Sequence, residues 1–345
     1  MLRRAALFVA VVGLGALGCA PTAPSSNPPP AALAVNAAPS ETPSRSSDAG
    51  QPEWLARFNT YRAAAGLHPV KDDTARSTAD MHHARYLVKN RAQLVVGAGM
   101  HSEDKNNPWY TVDGYWAGQL GDVLGATSMP LSESDAIDGW LGAPFHGLAM
   151  MAPDLEDSGF GHYCEGGYCA AVLSVGHLSH LGNFVKLKSD EPTYSYDSDA
   201  PDAPKIDRLE TPVEFPPSGF TISSGFFSGR EWPDPLSACD GYTPPTGAIA
   251  FASFGRDFVP QISVNSITCD GQPLAHCLVT ADTYRNPDPK VQQNARNILK
   301  FDAAALVIPR LPLEPGATCE VLLTENGQDY RWSFKVSGGA TRPMQ

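Results

Sequence analysis

The chain has 345 residues, 42% of them hydrophobic and 18% charged, with 31 glycines and 31 prolines. That length exceeds a usual single domain, and the composition favours a loop-rich, partly β protein over a helical bundle. A formal net charge of −12 repels phosphate backbones and excludes nucleic acid as a partner.

Residues 1–19 read as a lipoprotein signal peptide. Arg3 and Arg4 precede an uncharged apolar run that is short for a bilayer span. The run closes on Ala16-Leu17-Gly18-Cys19, which resembles a bacterial lipobox. Cys19 is therefore the expected lipid attachment, and the membrane the first expected partner. The expected location is the bacterial cell envelope, at the outer membrane or cell surface. Residues 20–51 are rich in Pro, Ala and Ser and carry no aromatic residue. Such a stretch buries too little to offset its ordering entropy, which predicts a disordered tether.

Pro52 suits a first helical turn. Trp54, Phe58, Tyr61 and Ala65 then recur on one helical face, with Gly66 as the stop. Asp72 or Asp73 caps a second helix, with Ala75, Ala79, His82 or His83, and Tyr86 on one face and an end near Asn90. A non-periodic loop follows, holding His101, Glu103, Trp109, Tyr110, Tyr115 and Trp116. Ser132 and Asp135 form a capping box for a third helix that buries Ile137, Trp140 and Leu141, and Pro144 ends or kinks it. Residues 160–175 read as a β-hairpin. Helices followed by strands, without βαβ alternation, predict an α+β fold.

Seven cysteines occur, and six remain once Cys19 is set aside. An even number in an exported chain predicts disulfides. Cys164 and Cys169 flank a Gly166-Gly167 hairpin turn as a non-hydrogen-bonded cross-strand pair, close enough to bridge. Cys269 and Cys277 flank Asp270-Gly271 and are expected to staple a second hairpin. Cys239 and Cys319 then pair by elimination.

One ordered set of residues spans the first module, residues 52–184. It runs Asn59-x-x-Arg62-x-x-x-Gly66-Leu67-x-Pro69-Val70, His83-Ala84-x-Tyr86, His101, Ala136-Ile137-x-x-Trp140, Pro144-x-His146, Gly159-Phe160-Gly161. The set resembles bacterial members of the CAP superfamily, the SCP-like domains. The resemblance implies an α-β-α sandwich with a cleft holding two histidines and two glutamates, and in some members a divalent metal. Carried over by position, the histidines are His101 and His146. Gln119, in Ala117-Gly118-Gln119-Leu120, stands where the first glutamate is usual, and Ala143 where the second is. His101 and His146 alone would hold a divalent metal weakly, since stable sites use three or four protein ligands. Glu103, Asp122 and Asp138 are candidates for a third ligand or a general base.

His83 reads as a half-buried packing residue and His162 as a hairpin packing residue. His177 and His180 fall in an ordinary loop. Gly-x-Ser-x-Gly is absent, and Gly159-Phe160-Gly161 leads into a strand, so no phosphate loop forms. The aromatic set at 109–116 either packs in the core or lines the cleft, where rings stack on a sugar or an acyl chain.

Residues 185–211 read as an acidic, proline-bearing linker. From 212 to 337, short apolar runs alternate with Gly/Pro turns, which predicts an all-β sandwich. Leu313-x-Pro315-Gly316-x-x-Cys319-x-Val321, with Gly327 and Trp332-x-Phe334, resembles bacterial Ig-like modules, which act as spacers or adhesion units.

Two functions follow as expectations. The first is a lipid-anchored binding module for a lipid, a glycan or an envelope protein, without catalysis. The second is a metal-dependent, protease-like hydrolase using His101 and His146 with Glu103 as base.

Overall fold

A computed structural model describes residues 51–94, 97–127, 131–176 and 208–338, without the side chains of Ala98 and residues 122–127. The expectations for residues 1–50, including Cys19, for His177 and His180, and for most of the linker lie outside the described residues. Residues 208–211, expected in the linker, open a strand.

The first module begins with α1 (Glu53–Ala64), which buries Trp54, Leu55, Phe58, Tyr61 and Arg62. It stops at Gly66, whose φ of +73° suits a residue without Cβ. There the Leu67 amide donates to Arg62 O and the Gly66 amide to Ala63 O, a Schellman closure. Strand β1 (Lys71–Asp72) leads into α2 (Thr74–Lys89), capped by Asp73, whose carboxylate accepts from the Ala75 and Arg76 amides. A 3₁₀ turn (Ala98–His101) precedes α3 (Val112–Leu120) and β2 (Gly121–Thr127). The Ser132–Asp135 capping box opens α4 (Glu133–Leu141) as expected. Pro144 does not end that helix. The helix stops at Gly142, and Pro144 starts α5 (Pro144–Met150) at its first turn. Strand β3 (Asp157–Ser158) pairs with β1 in parallel.

β4 (Phe160–Glu165) and β5 (Tyr168–Ser174) form the expected hairpin, with β2 added on the far side of β5. Gly166 and Gly167 both take positive φ at the turn, and Cys164 faces Cys169 with their Cα atoms 4.1 Å apart and the disulfide formed. Two glycines let this sheet lie on α2. A Cβ on Gly159 would sit 2.5 Å from the Ser77 amide nitrogen, and one on Gly161 2.0 Å from the Met81 amide nitrogen. Phe160, between them, points the other way and packs on Trp54 and Trp140.

Among the described residues, the second module holds a four-stranded sheet, a five-stranded sheet, a two-stranded β8–β9 pair and a helix. Its elements are β6 (Arg208–Phe215), β7 (Thr221–Ile222), β8 (Phe226–Phe227), a 3₁₀ turn (Pro235–Ala238), β9 (Thr246–Gly247), β10 (Ala250–Gly255), β11 (Ile262–Cys269), β12 (Gln272–Pro273), β13 (His276–Val279), α6 (Pro289–Phe301), β14 (Ala304–Pro309), β15 (Thr318–Glu325) and β16 (Gln328–Val336). The four-stranded order is β13-β14-β10-β6 and the five-stranded order β12-β11-β15-β16-β7. An all-β module is therefore corrected to a β-rich one. Asp288 caps α6 by accepting from the Lys290 and Val291 amides, and Pro289 opens it.

Two disulfide expectations are corrected. Cys269 pairs with Cys319, and Cys239 with Cys277. Cys269 lies opposite Cys319 in the β11–β15 register, Cα to Cα 4.0 Å, whereas Cys277 stands on β13 in the other sheet. Cys239 lies just past the 3₁₀ turn beside β13.

Strands β10 and β14 are buried along their whole length. One face, with Ala250, Ala252, Phe254, Ala305 and Val307, packs on the five-stranded sheet. The other, with Phe251, Ala304, Leu306 and Ile308, belongs to the cluster that holds Tyr61, Trp140, Phe145 and Leu148 of the first module. Phe215 stacks on Phe251 at 5.0 Å, and Tyr61 lies 4.6 Å from Phe220. A Cβ on Gly147 of α5 would come 3.0 Å from the Phe251 ring, so glycine brings that helix down onto β10. Polar ties join the same boundary: Arg256 Nη2 donates to Asp154 Oδ1 at 2.6 Å, and Ser223 Oγ to Asp138 Oδ2 at 3.2 Å.

Candidate functional site

α3 interrupts what reads in sequence as a loop. Its buried face is Gly114, Ala117 and Gly118, too small to show as apolar periodicity. A Cβ on Gly118 would lie 2.4 Å from His83 Cε1, so the helix rests directly on that imidazole. The opposite face carries exposed Val112 and Gln119, with Val112 at 61% exposure, and half-buried Tyr115 and Trp116. Tyr110, Tyr115 and Trp116 form a chain of ring contacts at 6.3 and 5.3 Å. Trp109 stands apart, 37% exposed, under Lys89 Nζ at 4.4 Å and Arg85 at 5.7 Å.

His83 and Glu103 lie beneath this surface. His83 Nδ1 is 2.9 Å from Glu103 Oε1, and Nε2 is 2.9 Å from the Met100 carbonyl oxygen. Glu103 Oε2 accepts from the Thr111 amide at 3.0 Å. Neither side chain reaches solvent. Glu103, expected as a third ligand or base, is instead a buried anchor of the His101 loop. The reason is local: His83, on the inner face of α2, needs a partner for its inward nitrogen, and Glu103 supplies it. Asp138 is likewise engaged, by Arg57 at 2.6 and 2.8 Å, by the Tyr61 hydroxyl and by Ser223. The Asp122 side chain lies outside the described residues.

His101 closes the 3₁₀ turn. Its Nδ1 donates to the Gly118 carbonyl at 2.8 Å, which fixes the tautomer with the proton on Nδ1. Burial pushes the imidazole pKa down, opposed by the Gly118 carbonyl and reinforced by the neighbouring charges of His146 and His83. His101 is therefore neutral at pH 7. Gln119 bridges the same turn, its amide donating to the His101 carbonyl and, at 3.1 Å, to Ser102 Oγ.

His146 stands at the start of α5, near enough to His101 for its charge to be felt there. Its Nδ1 is 3.1 Å from Oε1 of Glu231, a residue of the second module. The same oxygen accepts from the Phe145 amide at 2.7 Å and the His146 amide at 3.2 Å. The Glu231 side chain is fully buried, and its Oε2 has no hydrogen-bond partner. Burial raises its pKa, and His146 and the two amides pull it back. Sequence reading missed Glu231 because it lies 85 positions away in a region read as a separate domain. No local signal marks it.

The residues do not complete a tight divalent-metal site. Among the described residues, the one set of three His, Cys, Asp or Glu donors lying within 4.8 Å of one another is His162, Cys164 and Cys169. Its two sulfurs form a disulfide and offer no thiolate. At the histidine pair, Glu103 is consumed by His83 and Thr111, and Gln119 offers its amide to the turn.

Residues 55–177 match the family model described as CAP, the cysteine-rich secretory protein family, so the first module is a CAP domain. No curated protein sequence matches the chain. Among solved structures, the crystal structure of CopC from Methylosinus trichosporium OB3b matches at 10% identity, over 37% of this chain and 92% of that one, with a TM-score of 0.20. At that score the likeness carries no argument.

Proposed function

We propose that this is an exported, envelope-held binding protein whose CAP domain takes a glycan at the face formed by α3 and the two histidines. Lipid attachment at Cys19 would hold it to the membrane, with residues 20–51 as tether. Three disulfides fit an oxidising compartment.

The observation that carries the reading is the orientation of α3. Its glycine face is pressed onto His83, which leaves Tyr115 and Trp116 half-buried on the opposite face and Gln119 exposed beside His101. Rings that stack are what a sugar face requires. A lipid or sterol favours an enclosed apolar cavity. The hollows beside Pro287 and Lys290 and beside Arg208 and Tyr330 are open and lie on the second module. A hydrolase needs a base near the histidines, and the burial of Glu103 argues against that role.

The test is a titration of the full-length chain in detergent with a β-1,4-linked N-acetylglucosamine tetramer, followed by tryptophan fluorescence. Saturable binding that weakens about tenfold in Trp116→Ala, the loss of one stacked ring at roughly 1.4 kcal/mol, is the expected result. No binding of the tetramer, with saturable uptake of phospholipid vesicles by protein lacking its acyl chains, would replace the glycan with a lipid.

A further inference from the structure

Glu231 and Trp232 are consecutive, and each grips one of the two segments that carry the cleft histidines. Glu231 Oε1 takes the two first amides of α5 and the His146 ring. Trp232 lies against Gly97, where a Cβ would sit 3.1 Å from the indole Cγ and Cδ1. Gly97 has φ of +88° and leads directly into the 3₁₀ turn that ends in His101. Glycine is needed there both for the backbone angle and for the indole.

The loop that carries them is held at both ends. At Gly229, φ +81°, a Cβ would come 2.7 Å from Pro244. Asp234 accepts from the Leu236 amide at 2.9 Å, and its carbonyl accepts from the Tyr284 hydroxyl at 3.0 Å. Cys239, just beyond, is bonded to Cys277. A rigid loop of this kind presents side chains with little ordering cost. Trp232 is 36% exposed, so part of the indole is open. Glu231 keeps one oxygen, Oε2, buried and without a hydrogen bond. Native proteins rarely leave such a group without a reason.

We propose that the ligand cleft of the CAP domain is composite: the second module completes it, with Trp232 as a ring contact for a sugar and Glu231 as the positioning residue that fixes the His146 tautomer. The sugar contact rests on the glycan reading above; the positioning role does not. The second module is then a working wall of the site and not a spacer.

Two measurements on the full-length chain in detergent test it. The first reads the tautomer of the His146 ring by nitrogen-resolved NMR, in wild type and Glu231→Gln. The charged or titratable groups whose influence reaches the pair are His101 from the 3₁₀ turn and, from the second module, Tyr284. Removing the carboxylate that faces Nδ1 is expected to reduce the Nδ1-protonated tautomer of His146. An unchanged ring in a folded Glu231→Gln protein would overturn the positioning role. The second measures binding of the same tetramer by Trp232→Ala and Trp232→Phe. A tenfold or greater loss in the alanine variant, mostly restored by phenylalanine, is expected. If Trp232→Ala binds like wild type while Trp116→Ala fails, the composite cleft is wrong and the glycan reading stands. If wild type binds no tetramer, the glycan reading and the sugar contact of Trp232 both fall, and the NMR tautomer measurement still decides the role of Glu231.

Discussion

Nδ1 of His83 and Oε1 of Glu103 meet at 2.9 Å in a place with no solvent on either side. The pair joins α2 to the loop that carries His101, and the Thr111 amide closes it on the far oxygen. Glu103→Ala leaves a buried ring nitrogen and a buried amide without acceptors, a loss of about 3–5 kcal/mol. Glu103→Gln keeps an acceptor and loses less. Adding His83→Ala to Glu103→Ala costs less than His83→Ala alone, by roughly 1–3 kcal/mol of coupling. Urea midpoints for wild type and the four variants check this. A catalytic base would show the opposite pattern, with stability unchanged.

Glycines 161 and 166 make a matched pair of substitutions. Gly161→Ala drives a methyl to within 2.0 Å of α2 backbone, which has no flexible end to give way. The cost is at least about 3 kcal/mol, read as a large fall in thermal midpoint or as failure to fold. Gly166→Ala meets nothing within 4 Å and bears only its φ of +59°. That costs roughly 1 kcal/mol.

Asp302 gives stability a pH slope. It is buried at the end of α6, and burial, with the charges of Asp154 and Asp257, raises its pKa to about 6 although Arg256 lowers it. A carboxyl that holds its proton more tightly folded than unfolded contributes most below its unfolded value of 3.8. That contribution is lost as pH rises through about 6. The change is roughly 2–3 kcal/mol. Denaturant midpoints at pH 4, 5, 6 and 7 are expected to show this component in wild type and not in Asp302→Asn. Equal slopes in the two proteins would contradict it.

Phe251 lies on the face of β10 that meets the CAP domain. Phe251→Ala removes a fully buried ring stacked on Phe215 and costs about 3–5 kcal/mol. Because Tyr61 and Phe145 belong to the same cluster, the whole calorimetric transition moves down as one. A split into one shifted and one unshifted transition would mean that the modules melt separately.

Much of the CAP domain was legible because its signals are local. The Trp54-Phe58-Tyr61 face, the Asp73 cap and the Ser132–Asp135 box each lie within a few residues. The resemblance motifs also acquire physical roles. Asn59 bonds both the amide and the carbonyl of Val70, at 2.8 and 3.0 Å. Arg62, fully buried and with its pKa pulled down to about 10 by that burial, donates to the carbonyls of His68, Met150, Ala152 and Leu155. α3 was hidden because its packing face is glycine and alanine. The two long disulfides depend on which strands and turns the fold lays side by side, and spacing along the chain does not encode that. Glu231 was hidden for a related reason, since a boundary drawn by composition placed it in another domain. One clue stood in the sequence: Ala303-Ala304-Ala305-Leu306-Val307-Ile308 is an unbroken apolar run, the mark of a strand covered on both faces.

That doubly covered strand has a consequence for how the chain comes into being. Synthesis runs from the amino end, so α1, α4 and α5 are made long before β14, whose last residue is Pro309. Until then Tyr61, Phe145 and Leu148 lack part of their covering. The nascent first half must therefore wait, with greasy side chains showing, for its lid to arrive from the last fifth of the polypeptide.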